Sequence, residues 1–153
     1  MNGNDFLPRG VTHELASKYV NHLKSKIDMF EISCGYNGIA LFRSDISKRR
    51  LVNNTYELDF KEGYCLSFAE RIKKDNPDAI IAAVGGYRTA LIMEDAVTNK
   101  GIDIISLARP LIREPNLVKK IKANPNTKSA CISCNYCLFN AGKNPKGLSC
   151  DYP

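Results

Sequence analysis

A chain of 153 residues with 44% hydrophobic and 25% charged side chains is long enough to bury one core and too short for a second full domain. That balance excludes a wholly disordered polymer and a fibrous repeat. The formal charge of +6 does not support a nucleic-acid partner, because the basic residues are dispersed except at Lys48, Arg49 and Arg50, whereas nucleic-acid recognition needs them clustered.

The opening MNGNDFLPRG lacks the charged, apolar and small-residue regions of a signal peptide. Residues 12 to 27 read as an amphipathic helix, with Thr12 as N-cap, Glu14 in the first turn and an apolar stripe of Leu15, Tyr19, Leu23 and Ile27. Met29 to Gly35 read as a strand ended by glycine. Residues 36 to 60 are polar and aperiodic and are expected to form a long excursion. A helix is expected from Lys61 to Lys74, stopped by Asn76-Pro77. The apolar run Asp78 to Val84, closed by Gly85-Gly86, has the pattern of a strand buried on both faces, as in a parallel sheet. Residues 89 to 99 follow as a helix with Thr89 as cap and Leu91, Ile92, Ala96 and Val97 on its apolar side, and Gly101 ends it. Ile102 to Leu107 form the next strand and Pro115 to Lys122 a short, basic-ended helix. No run approaches the roughly 18 apolar residues of a membrane span, so a cytoplasmic chain without a membrane partner is expected.

Alternating helices and strands of these lengths imply parallel α/β architecture, as an open sheet or as part of a barrel. In either case sites form at the carboxyl ends of the strands, here Gly35 to Asn37, Gly85 to Arg88 and Ala108-Arg109. The Gly85-Gly86 turn lets a phosphate approach the backbone, and free amides at the following helix N-terminus favour an anion. The Ala108-Arg109 turn adds a guanidinium that is always charged and can bind a phosphate through two hydrogen bonds. In the tail, Cys131, Cys134, Cys137 and Cys150 have a spacing close to those that hold iron–sulfur clusters, and four thiolates equally satisfy tetrahedral zinc. Cys34 and Cys65 are assigned to buried packing. In a reducing cytosol the six cysteines are better explained by metal binding or burial than by disulfides. His13 and His22 have no nucleophile or metal partner in the pattern.

Together, Asn2-Gly3-Asn4-Asp5-Phe6, Phe30-Glu31-Ile32-Ser33-Cys34-Gly35, Val84-Gly85-Gly86-Tyr87-Arg88-Thr89 and Ile105-Ser106-Leu107-Ala108-Arg109-Pro110-Leu111-Ile112 resemble successive landmarks of the NADH:flavin oxidoreductase, or old yellow enzyme, family. The cysteine tail resembles the segment after the barrel in its iron–sulfur branch, which includes 2,4-dienoyl-CoA reductases and NADH oxidases. The resemblance implies a half TIM (β/α)8 barrel, strands 5/6 to 8, over residues 1–124, and a cysteine-rich iron–sulfur segment over 125–153. It implies FMN with its phosphate at Gly85, Gly86, Ala108 and Arg109, and a [4Fe-4S] cluster on Cys131, Cys134, Cys137 and Cys150 that relays electrons to the flavin. NAD(P)H would be the electron donor, and the substrate a small molecule with an activated carbon–carbon double bond or a related acceptor. The turn after the first strand reads Gly35-Tyr36-Asn37-Gly38 where dienoyl-CoA reductases place a histidine, so Tyr36 is the substrate-facing candidate. A half barrel has two open strand edges, from which a separate N-terminal half or self-association is expected. The alternative is a truncated, catalytically inactive metal-binding or interaction fragment.

Overall fold

The computed structural model describes residues 1–35 and 62–134 and, in the tail, residues 137, 141, 145 and 147–150. The expected excursion at 36–60, and Tyr36 with it, lies outside the described residues. The elements run α1 (His13–Leu23), β1 (Phe30–Ile32), α2 (Leu66–Asp75), β2 (Ile81–Val84), α3 (Ala90–Thr98), β3 (Ile104–Ser106), α4 (Arg109–Arg113) and α5 (Leu117–Ala123). The expected alternation is present. Not anticipated was α4, a single turn with Pro110 in its first positions, where the fixed backbone angle of proline suits a helix start.

The strands form one parallel sheet in the order β1-β2-β3, with Phe30 beside Ile81, Ile32 beside Ala83, Ala82 beside Ile104 and Val84 beside Ser106. The start of the chain adds a further parallel step next to β1. Asn2 bridges Ser33, the Gly3 N–H donates to the Ser33 carbonyl at 2.8 Å, and the Ser33 N–H donates to the Met1 carbonyl at 2.9 Å. As expected for a central strand covered on both sides, Ile81, Ala82 and Ala83 are fully buried. Ile32, Ile72 and Ile102 join them in the core.

Thr12 caps α1 as expected, its hydroxyl oxygen accepting the Leu15 N–H. The buried face of α1 differs from the expected stripe. It consists of Ala16, Ser17 and Val20, while Leu15, Tyr19 and Ile27 are exposed. The small Ala16 and Ser17 let α1 approach α2 closely enough for Asn76, at the end of α2, to donate to Ser17 Oγ at 3.0 Å and to the Ser17 carbonyl at 3.3 Å. On α3, similarly, Ala90 and Ala96 are buried, and Leu91, Ile92 and Val97 are exposed. The outer strand β3 is thinly covered, with Ile104 41% exposed.

At the amino edge of the sheet a polar tie joins neighbouring strands. Lys73 Nζ donates to the Ala79 carbonyl at 2.7 Å and pairs with Asp103 at 2.8 Å, and Asp103 Oδ2 accepts the Ile81 N–H at 2.8 Å. This leaves the carboxyl edge free of any duty in holding the strand starts together. Truncating the fully buried Ile81 to alanine is expected to cost about 2–5 kcal/mol through lost burial and a residual cavity, measured as a lower denaturant midpoint with an unchanged slope.

Candidate functional site

At the carboxyl edge the turn after β2 is built around two glycines with positive φ, +153° at Gly85 and +67° at Gly86. A side chain at Gly85 would meet the Cys65 amide nitrogen at 2.9 Å, so the absence of Cβ is what allows residues 63–65 to lie on this turn. The Tyr64 N–H donates to the Gly85 carbonyl at 3.1 Å. The Tyr64 hydroxyl accepts from Arg109 Nη2 at 3.2 Å. Tyr64 thus ties the turn after β2 to the turn after β3 by its backbone at one end and its ring at the other. Gly86 and Arg109 are half-buried and Ala108 is exposed.

The N-terminus of α3 is not open to an outside anion. Glu62 occupies it: Oε2 accepts the N–H groups of Arg88 at 2.8 Å and Thr89 at 2.7 Å, and Oε1 accepts the Thr89 hydroxyl at 2.8 Å. The expected side-chain cap at Thr89 is therefore replaced, because the Thr89 hydroxyl donates to a carboxylate that already satisfies the helix amides. The anion reading narrows to the glycine backbone and the Arg109 guanidinium. Beneath them Tyr87 is buried against Gly63, and burial pushes its phenol up to about 12.

The cysteine tail folds back onto this edge. Lys128 bridges Thr89 in antiparallel fashion, and the Ser129 N–H donates to the Arg88 carbonyl at 2.8 Å. Cys131, Cys134, Cys137 and Cys150 then line one small cavity together with Arg109 and Arg113. By kind, four soft sulfur donors beside two guanidiniums fit a thiolate-bound metal centre, whose negative charge the arginines would offset. By spacing, no group of three or more ligating side chains among the described residues stands close enough to hold an ion as it is. The four residues that the spacing singled out are brought together, and the final closure around a metal is not made.

Cys34 and Cys65 correct the sequence reading. Both are buried, as expected. They are also joined as a disulfide, with Cα atoms 5.7 Å apart across a sequence separation of 31. The reason is topological, since the end of β1 and the start of α2 lie side by side at the carboxyl edge. Sequence spacing carries no trace of that.

Glu114 escaped the sequence reading as well. Its carboxylate accepts from Lys120 Nζ at 2.8 Å, from the Ser129 hydroxyl at 2.6 Å and from the Ala130 N–H at 2.7 Å. The Lys120 hydrogen bond first, then that of Ser129, holds the carboxyl down at about 2 from its ordinary 4.5. A lone glutamate before a proline offers no signal for this role.

The described residues thus bring an arginine, paired glycines and a cysteine-lined cavity together at the carboxyl edge of a parallel α/β sheet. The chain belongs to the NADH:flavin oxidoreductase / NADH oxidase family, whose model matches residues 36–128. It is similar to a 4,4'-dithiodibutanoate disulfide reductase of Rhodococcus erythropolis, 25% identical over 90% of this chain and 39% of that protein. It is also similar to the NADH-dependent flavin oxidoreductase iccE of Talaromyces variabilis, 31% identical over 68% of this chain and 24% of that protein. A solved 2-naphthoyl-CoA reductase, in complex with 2-naphthoyl-CoA, shares the fold with a TM-score of 0.68 at 24% identity, over 90% of this chain and 19% of that one. The chain thus spans about two fifths or less of the length of these relatives. No helix among the described residues is long and apolar enough to cross a membrane.

Two outcomes follow from this geometry. Because the folded-state pKa of Glu114 lies below its unfolded value, its stabilisation is complete above about 4.5 and is lost as pH falls toward about 2. Denaturation midpoints of Glu114→Ala are therefore expected to lie below wild type at neutral pH and to converge with it across that window. Secondly, alkylation of protein denatured without reductant, followed by proteolysis and mass spectrometry, is expected to return Cys34 and Cys65 in one cross-linked peptide pair. Separate alkylated peptides would contradict the pairing.

Proposed function

We propose that this chain supplies the C-terminal half of an FMN-binding (β/α)8 barrel, strands 5/6 to 8 over residues 1–124, followed by a cysteine-rich metal segment over 125–153. The observation that carries the reading is the bridge through Tyr64, which joins the glycine turn to Arg109, while Arg109 also lines the cysteine cavity. One guanidinium thereby stands between two cofactor-type sites. Gly85, Gly86, Ala108 and Arg109 would hold the FMN phosphate, Gly86 through accessible backbone and Arg109 through charge-assisted hydrogen bonds. Cys131, Cys134, Cys137 and Cys150 would hold a [4Fe-4S] cluster, with zinc as the competing occupant of the same donors.

The flavin, when bound, supplies the electron transfer between NAD(P)H and an acceptor. The residues of this chain do the rest. Arg109 neutralises and orients the phosphate, Tyr64 fixes the guanidinium, and Glu62 keeps the turn after β2 in place by holding Arg88 and Thr89. Substrate contacts would fall partly to Tyr36 and mainly to strands beyond this chain. The relatives are named for a disulfide and an aryl-CoA substrate, so a small-molecule acceptor, either an activated double bond or a related group, is the class proposed.

The open sides support a partner. Ile104 on β3 and Leu91, Ile92 and Val97 on α3 are exposed, and among the described residues no strand pairs with the outer edge of β3, an arrangement that calls for pairing. The occupant proposed is an N-terminal half-barrel, with a second copy of this chain as the competing one.

An FMN titration of the anaerobic chain, read by fluorescence quenching, tests the assignment. Arg109→Gln is expected to lose a charge-assisted contact of about 1.5–3 kcal/mol, or roughly 10- to 100-fold in Kd. Equal affinity of wild type and variant, or no binding by wild type, would refute the phosphate site.

A further inference from the structure

The sequence places a 12-residue gap between Cys137 and Cys150, yet the first and last tail cysteines line one cavity. Besides the Ser129–Arg88 hydrogen bond and the Lys128–Thr89 bridge, contacts to both ends of the tail among the described residues come from two consecutive residues at the end of α4. Arg113 Nη1 donates to Cys150 Sγ at 3.7 Å. Glu114, its neighbour, takes the Ser129 hydroxyl at 2.6 Å and the Ala130 N–H at 2.7 Å, and Ser129 Oγ in turn accepts the Cys131 N–H at 3.2 Å. The geometry points to Arg113-Glu114 as a clamp that positions the cysteine site, with Glu114 holding the entry of the tail just before Cys131 and Arg113 holding its exit at Cys150.

The two contacts differ in kind, as their tasks require. The entry is a backbone, and a carboxylate with several acceptor sites can bind a hydroxyl and an amide together. The exit is a sulfur, which would carry negative charge on ligation, and a guanidinium that cannot deprotonate suits it. Both contacts start from the end of the short helix that begins with Arg109, so the turn after β3 and the cysteine cavity share one anchor. Lys120 Nζ binds the other carboxylate oxygen of Glu114 at 2.8 Å, while its contact with the tail is made by its backbone carbonyl, which accepts the Thr127 hydroxyl at 3.3 Å and is kept in a side-chain variant. Ser129 is 5% exposed and Glu114's side chain 13%, which shields the Ser129–Glu114 hydrogen bond from competition by water, whereas the Ala130 N–H meets the carboxylate at an exposed position.

This inference rests on the reading of the four cysteines as a metal site, and the test separates the two. The full chain, reduced and anaerobic, is titrated with Co2+ as probe, in competition with a chelator, and the thiolate–cobalt absorption gives the affinity. Glu114→Ala and Arg113→Ala are each expected to weaken binding by roughly 10- to 100-fold, as losses of groups that orient metal ligands do. Glu114→Gln keeps an amide oxygen for Ser129 and Ala130 and is expected to restore most of the affinity, and Lys120→Met to leave it near wild type. A merely structural role would give Lys120→Met and Glu114→Ala the same loss, and that result would overturn the clamp. So would wild-type affinity in both alanine variants with unchanged far-ultraviolet circular dichroism. Absence of Co2+ binding by wild type would instead remove the metal reading itself. Should Glu114→Ala fail to fold, Arg113→Ala decides, through its contact with the Cys150 sulfur.

Discussion

Residues 63–65 lie directly on the turn after β2, and the rest of the carboxyl edge depends on that close approach. It requires a residue without Cβ at Gly85, where any side chain would collide with the Cys65 amide nitrogen at 2.9 Å. From it follow the Tyr64 hydrogen bond to Gly85, the reach of the Tyr64 ring to Arg109, the position of Glu62 under Arg88 and Thr89, and the meeting of Cys65 with Cys34. The neutral backbone hydrogen bond among these contributes on the order of 1 kcal/mol and those to charged groups about 1.5–3 kcal/mol. Together they hold one short segment from several directions.

Two carboxylates give the edge its electrostatic order. Glu62 and Glu114 both have little exposed side-chain surface, 7% and 13%, and both receive N–H and O–H donors. Such groups are tolerated out of water because their acceptor sites are filled, and removing the donors would leave a charge exposed to a poor solvent. Glu62 satisfies a helix N-terminus from outside the helix, and Glu114 satisfies the first residues of the tail. Both face backbone that has no sheet or helix partner of its own, which is where a loop-built site most needs support.

Element types and order were legible because they follow from periodicity and punctuation. The apolar run at 78–84 closed by two glycines was read as a buried strand, and Ile81, Ala82 and Ala83 are fully covered. Family membership was legible from motifs spread along the chain, and the match over residues 36–128 supports it. The buried faces of α1 and α3 were legible only in part: Ala96 is buried and Leu23 packs against the core as the pattern has it, but pattern alone favours the larger apolar residues and the packing also uses Ala16, Val20 and Ala90. A stripe such as Leu15, Tyr19 and Ile27 says that a face is apolar without saying what covers it. At the site, the cysteines and Arg109 could be singled out by residue type and spacing. Tyr64, Glu62 and Glu114 could not, because their roles come from contacts over sequence separations of 45, 26 and 15, and tyrosine or glutamate in a polar stretch is ordinarily solvated. The Cys34–Cys65 link was missed for the same reason.

The tie among Lys73, Ala79, Asp103 and Ile81 sits at the opposite end of the strands from the glycine turns and the cysteine cavity. Fastening the sheet there separates two kinds of selection. Substitutions at mouth positions outside the Gly85, Glu62 and Glu114 ties can reshape what is recognised with little penalty to the framework, whereas changes at Lys73 or Asp103 weaken the framework and leave recognition alone. A scaffold divided in this way can be retuned toward new chemistry one loop at a time, which suits a fold found in proteins named as differently as a 4,4'-dithiodibutanoate disulfide reductase and a 2-naphthoyl-CoA reductase.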